Sequence, residues 1–198
     1  TIDFHTYAAT VPSTGEKSFF YTNWFSPTGI SKEHDVAKWS EEHWELLEKY
    51  AQLMAKGRQN TFWFRWPDFF EKKNGRWILN KKRARRFVNT FTNEGLWWIE
   101  GAPIARRPNG NWSSKNLELS IGSVPAEGPI GSLMLRELAS QVKTLFEEEQ
   151  WIHRWIQHVC DEPTDTNAEA YRNLSKQLQN IIGEVPIVEA TMSTELIG

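Results

Sequence analysis

Cysteine is nearly absent from this 198-residue chain, which carries only Cys160. A single thiol excludes an intramolecular disulfide framework and a thiolate metal cage. Long apolar runs are missing too. No stretch approaches the ~20 residues that a helix needs to cross a bilayer, so no membrane span is expected. Neither sign of charge dominates: 23 Lys and Arg stand against 25 Asp and Glu, for a formal net charge of −2. That balance gives no reason to expect a nucleic-acid or anionic-membrane partner. The one basic run, Lys81 to Arg86, sits at the start of a predicted helix and reads as a solvated face. The five histidines, His5, His34, His43, His153 and His158, lack close metal-ligand spacing, and neither a metal nor a cofactor is expected. No signal peptide opens the chain, and a start at Thr1 reads as processed or trimmed.

Tryptophan is what the chain has in excess: eleven residues. Indole rings stack on the apolar faces of pyranoses, while their N–H groups bond hydroxyls. Trp44 falls on the apolar stripe of a predicted helix, and Trp63, Trp98 and Trp155 lie in strand-like runs, so these four read as core. Trp24, Trp66 and Trp112 fall near strand ends or in loops and are the candidates for stacking on a sugar.

Strand-like and helix-like segments alternate. Strands are predicted over 18–25, 61–66, 96–100, 155–159 and 185–190. Ser40, with Glu41 and Glu42 behind it, caps a first helix that ends at Gly57. A second helix runs over 81–93, and a third carries Leu135, Leu138, Val142, Leu145 and Phe146. The capping box Thr166-Asn167-Ala168-Glu169 opens a fourth, which exits at Gly183. Asn74-Gly75 signals a turn or hairpin, and a Pro- and Gly-rich loop fills 102–131. Alternating units of this kind imply βαβ crossovers and a parallel sheet. The predicted class is therefore α/β: a (β/α)8 TIM-type barrel of which about the first five strand–helix units are present. A doubly wound sheet ranks below it, because no glycine-rich phosphate loop follows the first strand. Residues 1–17 read as a leading strand or a linker from an upstream region, and 18–198 as the partial barrel.

In such a fold the reactive groups sit at the carboxyl ends of strands. Those ends read Asn23 and Trp24, then Arg65 and Trp66, then Glu100, then Asp161 and Glu162, then Glu189. All are polar or aromatic, as a sugar pocket requires. Asp161 and Glu162 follow the apolar run Trp155 to Val159 and precede Pro163. Adjacent carboxylates are costly where a turn alone would serve, because each needs partners and like charges repel. Two neighbours on one strand cannot straddle a glycosidic bond at the ~5 Å of an ordinary retaining pair. Adjacency does fit catalysis in which the 2-acetamido oxygen of the substrate is the nucleophile. Asp161 then orients the acetamido N–H, and Glu162 protonates the leaving oxygen and activates water. His158 reads either as a pocket hydrogen-bonder or as a satisfied core histidine, and Glu100 as a hydroxyl acceptor or a partner for Arg65. Cys160 reads as a buried, inert thiol.

Several segments together resemble the catalytic domain of glycoside hydrolase family 123. They are Asn23-Trp24-Phe25, Trp39-Ser40-Glu41-Glu42-His43-Trp44, Gly57-Arg58-Gln59-Asn60-Thr61, His158-Val159-Cys160-Asp161-Glu162-Pro163, Tyr171, and Val185 to Ala190. The resemblance spans most of residues 18 to 190, and 101–122 departs from it. It implies a retaining, exo-acting β-N-acetylgalactosaminidase on a (β/α)8 barrel, with Asp161 and Glu162 as the catalytic pair. It also implies an N-acetylhexosamine glycan as substrate and a secreted, periplasmic or cell-surface setting. Asn23, Trp24, Trp66, Glu100, Trp112, His158 and Glu189 are the candidate substrate-binding residues. Two other readings stand beside it: a non-catalytic carbohydrate-binding barrel, and a retaining glycosidase with Glu100 as covalent nucleophile.

Overall fold

Local signals decide where the helices start. Ser26 Oγ accepts from the Gly29 amide at 3.2 Å, and Pro27 takes the first position of α1, Pro27–Glu33. This helix falls where the sequence reads as loop. Ser40 Oγ accepts from the His43 amide at 3.2 Å and opens α2, Glu41–Lys56, as predicted. The chain then runs through β1, Thr61–Phe64, and the hairpin β2, Phe70–Lys73, and β3, Arg76–Leu79. Asn74 and Gly75 join that hairpin with positive φ, the geometry of a type I′ turn. Next come α3, Lys81–Asn93, capped by Asn80, and β4, Trp98–Gly101. Two short antiparallel strands, β5, Ala105–Arg106, and β6, Glu118–Leu119, give structure to the long loop. α4, Pro129–Glu148, β7, Trp155–Gln157, and α5, Ala168–Ile182, complete the order. The predicted capping box lies two residues upstream of its expected place: Asn167 Oδ1 accepts from the Thr164 amide at 2.9 Å. The computed structural model describes residues 2–9, 12–191 and 193–196.

The centre is a parallel sheet in the order β1–β4–β7, with Thr61 opposite Trp98 and Ile99 opposite Trp155. The outer two predicted strands join only by isolated bonds. The Tyr21 carbonyl accepts from the Asn60 and Thr61 amides at 3.1 and 3.3 Å. Gln157 bridges in parallel to Ile187, through Gln157 N to Pro186 O at 2.9 Å and Val188 N to Gln157 O at 3.0 Å. Five strand positions therefore lie side by side in chain order, and three of them form ladders. The α/β class with a parallel sheet and helices is as expected; among the described residues the sheet is open and no sheet closes into a barrel, since closure needs the last strand to pair with the first. The described residues before Ser18 carry no strand.

Strand alternation separates two faces. Phe62, Phe64, Ile99 and Trp155 point toward the helices and are buried. Phe62 stacks on Phe91 of α3 at 4.9 Å, Phe64 meets Phe146 of α4 at 5.4 Å, and Trp155 meets Phe146 at 4.7 Å. Each fully buried side chain of this size contributes about 1.5–3 kcal/mol. Trp63, Glu100 and Ile156 point the other way, toward the side that also holds His158 and Trp24. The ends of β4 and β7 are pinned by Gln157, fully buried, whose Nε2 donates to the Ala102 and His158 carbonyls at 2.8 Å each. A Cβ on Gly101 would meet Gln157 Oε1 at 1.9 Å, so only glycine lets that amide lie against β4.

Candidate active site

Glu100 and His158, from the ends of β4 and β7, meet Glu189 on the inner face. His158 Nε2 lies 2.7 Å from Glu100 Oε1, and Nδ1 lies 3.1 Å from Glu189 Oε2. Burial works against charge on the imidazole. The hydrogen bonds and charges of the two carboxylates outweigh it and push its pKa up to about 9. At neutral pH the ring is therefore an imidazolium that donates to both sides. The other oxygen of Glu189 accepts from the Val159 and Cys160 amides at 2.5 and 3.1 Å. Trp24 Nε1 donates to Glu100 Oε1 at 3.2 Å, and its ring packs on Trp63 at 4.4 Å with 54% of the residue still exposed. Trp24, Glu100, His158 and Glu189 line a hollow of about 390 Å³. His158 is thus a paired, buried histidine, and the partner of Glu100 is His158 rather than Arg65. Arg65 instead donates to Ser26 Oγ at 2.9 Å.

Three residues beyond His158 the backbone turns and carries Asp161 and Glu162 into solvent, both exposed. Glu162 has φ +45° and precedes Pro163. Side chains rarely adopt that left-handed region, and a residue before proline is normally extended. Something must hold the turn, and Arg107 is in place to do so. The Arg107 side chain is buried, with Nη1 donating to the Asp161 carbonyl at 3.0 Å and Nη2 to the Glu162 carbonyl. Its guanidinium lies 3.8 Å from the centroid of the Trp112 ring. The base of this loop is tied to the turn where Ala105 N donates to Val159 O at 2.9 Å and Ala105 bridges to Cys160.

Trp112, 56% exposed, lines a hollow of about 390 Å³ with Glu162, Pro163, Thr164, Asp165 and Thr191. That volume is within the range of small-ligand pockets, about 300–1,000 Å³. Asp161 lines a different hollow with Arg106, Arg107, Asn109 and Cys160. The two carboxylates therefore flank the turn instead of facing one cavity, because successive residues of a turn point apart. Cys160 is buried, and burial pushes its thiol up to about 12, which leaves it protonated and unreactive.

Asn23 and Trp66 lie apart from these hollows. Asn23 is exposed, and its backbone amide donates to Gln59 Oε1 at 2.7 Å. Trp66 is only 2% exposed and belongs to the core. A single 3₁₀ turn over Trp66–Asp68 folds the indole inward, so it is removed from the stacking candidates. Sequence reasoning missed Arg107 and Asp165, neither of which stands in a motif. The only signal for Arg107 was its place in a long, Pro- and Gly-rich loop.

No protein-family model and no curated protein matches the chain. The likeness is structural. A family 123 glycoside hydrolase from Clostridium perfringens, whose structural analysis concerned glycolipid glycan hydrolysis, matches 85% of this chain with a TM-score of 0.60 at 11% identity. The chain shares its architecture with a glycoside hydrolase. It spans about a third of that structure, 34% of its length. At this identity the likeness speaks to fold, and the chemistry has to be argued from the residues above.

Proposed function

We propose that this chain carries the acid/base centre of a glycoside hydrolase that removes terminal β-linked N-acetylhexosamine, with the galactosamine configuration favoured. The wider architecture in this reading is a (β/α)8 barrel, of which the five strand positions form consecutive wall. One observation carries the proposal. An exposed carboxylate, Glu162, is held in a strained left-handed conformation before a proline, in an aromatic-walled hollow at the carboxyl end of a parallel strand. Strain of that kind persists where surrounding structure over-determines it, and it clusters at reactive sites.

The reaction is retaining and substrate-assisted. The 2-acetamido carbonyl oxygen attacks the anomeric carbon as the glycosidic C–O bond breaks. The Glu162 carboxyl gives its proton to the departing oxygen. Asp161, on the same turn, swings toward the sugar, accepts from the acetamido N–H and stabilises the oxazolinium charge. Water then attacks the anomeric carbon and passes a proton to the Glu162 carboxylate, which reopens the ring with net retention. Trp112 supplies an apolar platform for the pyranose face, while Trp24 faces the separate hollow that Glu100, His158 and Glu189 line. A covalent role for Glu100 is disfavoured, since that carboxylate is committed to His158 and Trp24 and lines a different hollow from Glu162.

The test compares aryl β-N-acetylgalactosaminide with the matching galactoside that lacks the acetamido group. Turnover of the first alone is expected, with a thiazoline mimic of the oxazoline binding about 100-fold or more tighter than substrate. Equal hydrolysis of both glycosides would remove the substrate-assisted step. Saturable sugar binding without turnover would favour a non-catalytic binding domain built on the exposed Trp24 and Trp112.

A further inference from the structure

Arg107 has no role in the chemistry above, yet its surroundings are unusual for a surface-loop arginine. The residue is only 8% exposed. Its two terminal nitrogens grip consecutive backbone carbonyls, those of Asp161 and Glu162. The flat face of the same guanidinium supports Trp112 at 3.8 Å. Trp112 and Glu162 wall one hollow. One planar cation therefore touches both the turn that bears the acid and the indole across from it. Glu189 grips the amides of Val159 and Cys160, so the chain entering the turn is held by its amides and the turn itself by its carbonyls.

We propose that Arg107 is a positioning residue: its fork holds the Glu162 backbone left-handed, and its face sets Trp112 at the matching distance, so that sugar platform and acid are registered by a single side chain. The proposal rests on the hydrolase reading for its catalytic consequence and on geometry alone for its structural one. Lysine supplies the charge but not the planar fork or the stacking face, so it cannot replace arginine here. A misplacement of about 1 Å in a catalytic group costs on the order of 100-fold in rate, which sets the scale of the effect.

The experiment uses Arg107→Lys, with Arg107→Met beside it, and two independent readouts. The first is the pair of Glu162 ¹³Cα and ¹³Cβ chemical shifts, which report its backbone conformation without any need for turnover. They are expected to move from left-handed toward extended values in both variants, with shifts in α2 and α3 unchanged. The second is hydrolysis of aryl β-N-acetylgalactosaminide, where kcat is expected to fall by about 10- to 100-fold while KM changes less than about threefold. Glu162 shifts that stay in place in Arg107→Lys overturn the proposal, as does full kcat in that variant. If the unaltered protein shows no turnover but the Glu162 shifts respond, the positioning role stands and the hydrolase reading falls.

Discussion

Four carboxylates gather around the end of β7, and they divide into two pairs under different physics. The side chains of Glu100 and Glu189 are buried, each against a nitrogen of His158. Asp161 and Glu162, a few residues farther on, are exposed on a turn whose backbone rather than whose side chains is gripped. The buried pair places two negative charges around one imidazolium, with backbone amides and an indole N–H taking up further lone pairs. Carboxylates committed in that way hold a structure together, because releasing one strands its partner. The exposed pair leaves its side-chain lone pairs to solvent and, in the proposed reading, to a substrate. In the proposed reading the inner-face cluster is the foundation of the site and the turn is its working edge.

Substitutions in the two pairs should have different consequences. The largest effect is expected at the working edge: Glu162→Gln should lower kcat by about 10²–10⁴-fold. Its stability, measured by denaturant unfolding, should stay within about 0.5 kcal/mol of the unaltered protein, as is usual for exposed positions. Next comes the foundation. Glu189→Ala leaves two amides and an imidazolium short of a partner, and should destabilise by about 3–5 kcal/mol, lowering the melting temperature by about 10 °C. A loss below about 1 kcal/mol would show the buried pair to be as dispensable as a surface ion pair. The third effect is one of pH. The folded-state pKa of His158 is raised from 6.5 to about 9, so the stability it contributes is complete below about 6.5 and disappears as pH rises through about 9. Melting temperature should therefore decline across that window, and His158→Gln should flatten the decline. An unchanged slope in that variant would place the imidazolium outside the stabilising network.

Much of the frame was legible in the sequence, for physical reasons that can be named. α2 and α3 follow from a capping Ser or Asn and a 3.6-residue apolar period, both of which are local. β1, β4 and β7 follow from short apolar runs that are buried on both faces of a parallel sheet. The outer segments around Tyr21 and Ile187 have strand-like composition, but a ladder is decided by what lies alongside, and here only isolated bonds form. α1 was hidden by composition, although its Ser26-Pro27 start is a readable cap. The Asp161-Glu162-Pro163 pattern stood out because adjacent acids at a strand end are costly. Trp66 misled because one local turn reverses its direction. Arg107 was invisible, since a contact across 54 residues to a backbone carbonyl leaves no trace in spacing.

The most direct test of the division between working edge and foundation is the leaving-group dependence of Glu162→Gln. An acid that protonates the departing oxygen matters most when that oxygen is a poor leaving group. Dinitrophenyl N-acetyl-β-galactosaminide, whose phenolate needs no proton, should be cleaved by the variant at a rate near that of the unaltered protein in its bond-breaking step, while the methyl glycoside should lose nearly all turnover. An equal loss for both glycosides, or no loss for either, would contradict the assignment of Glu162 as the acid.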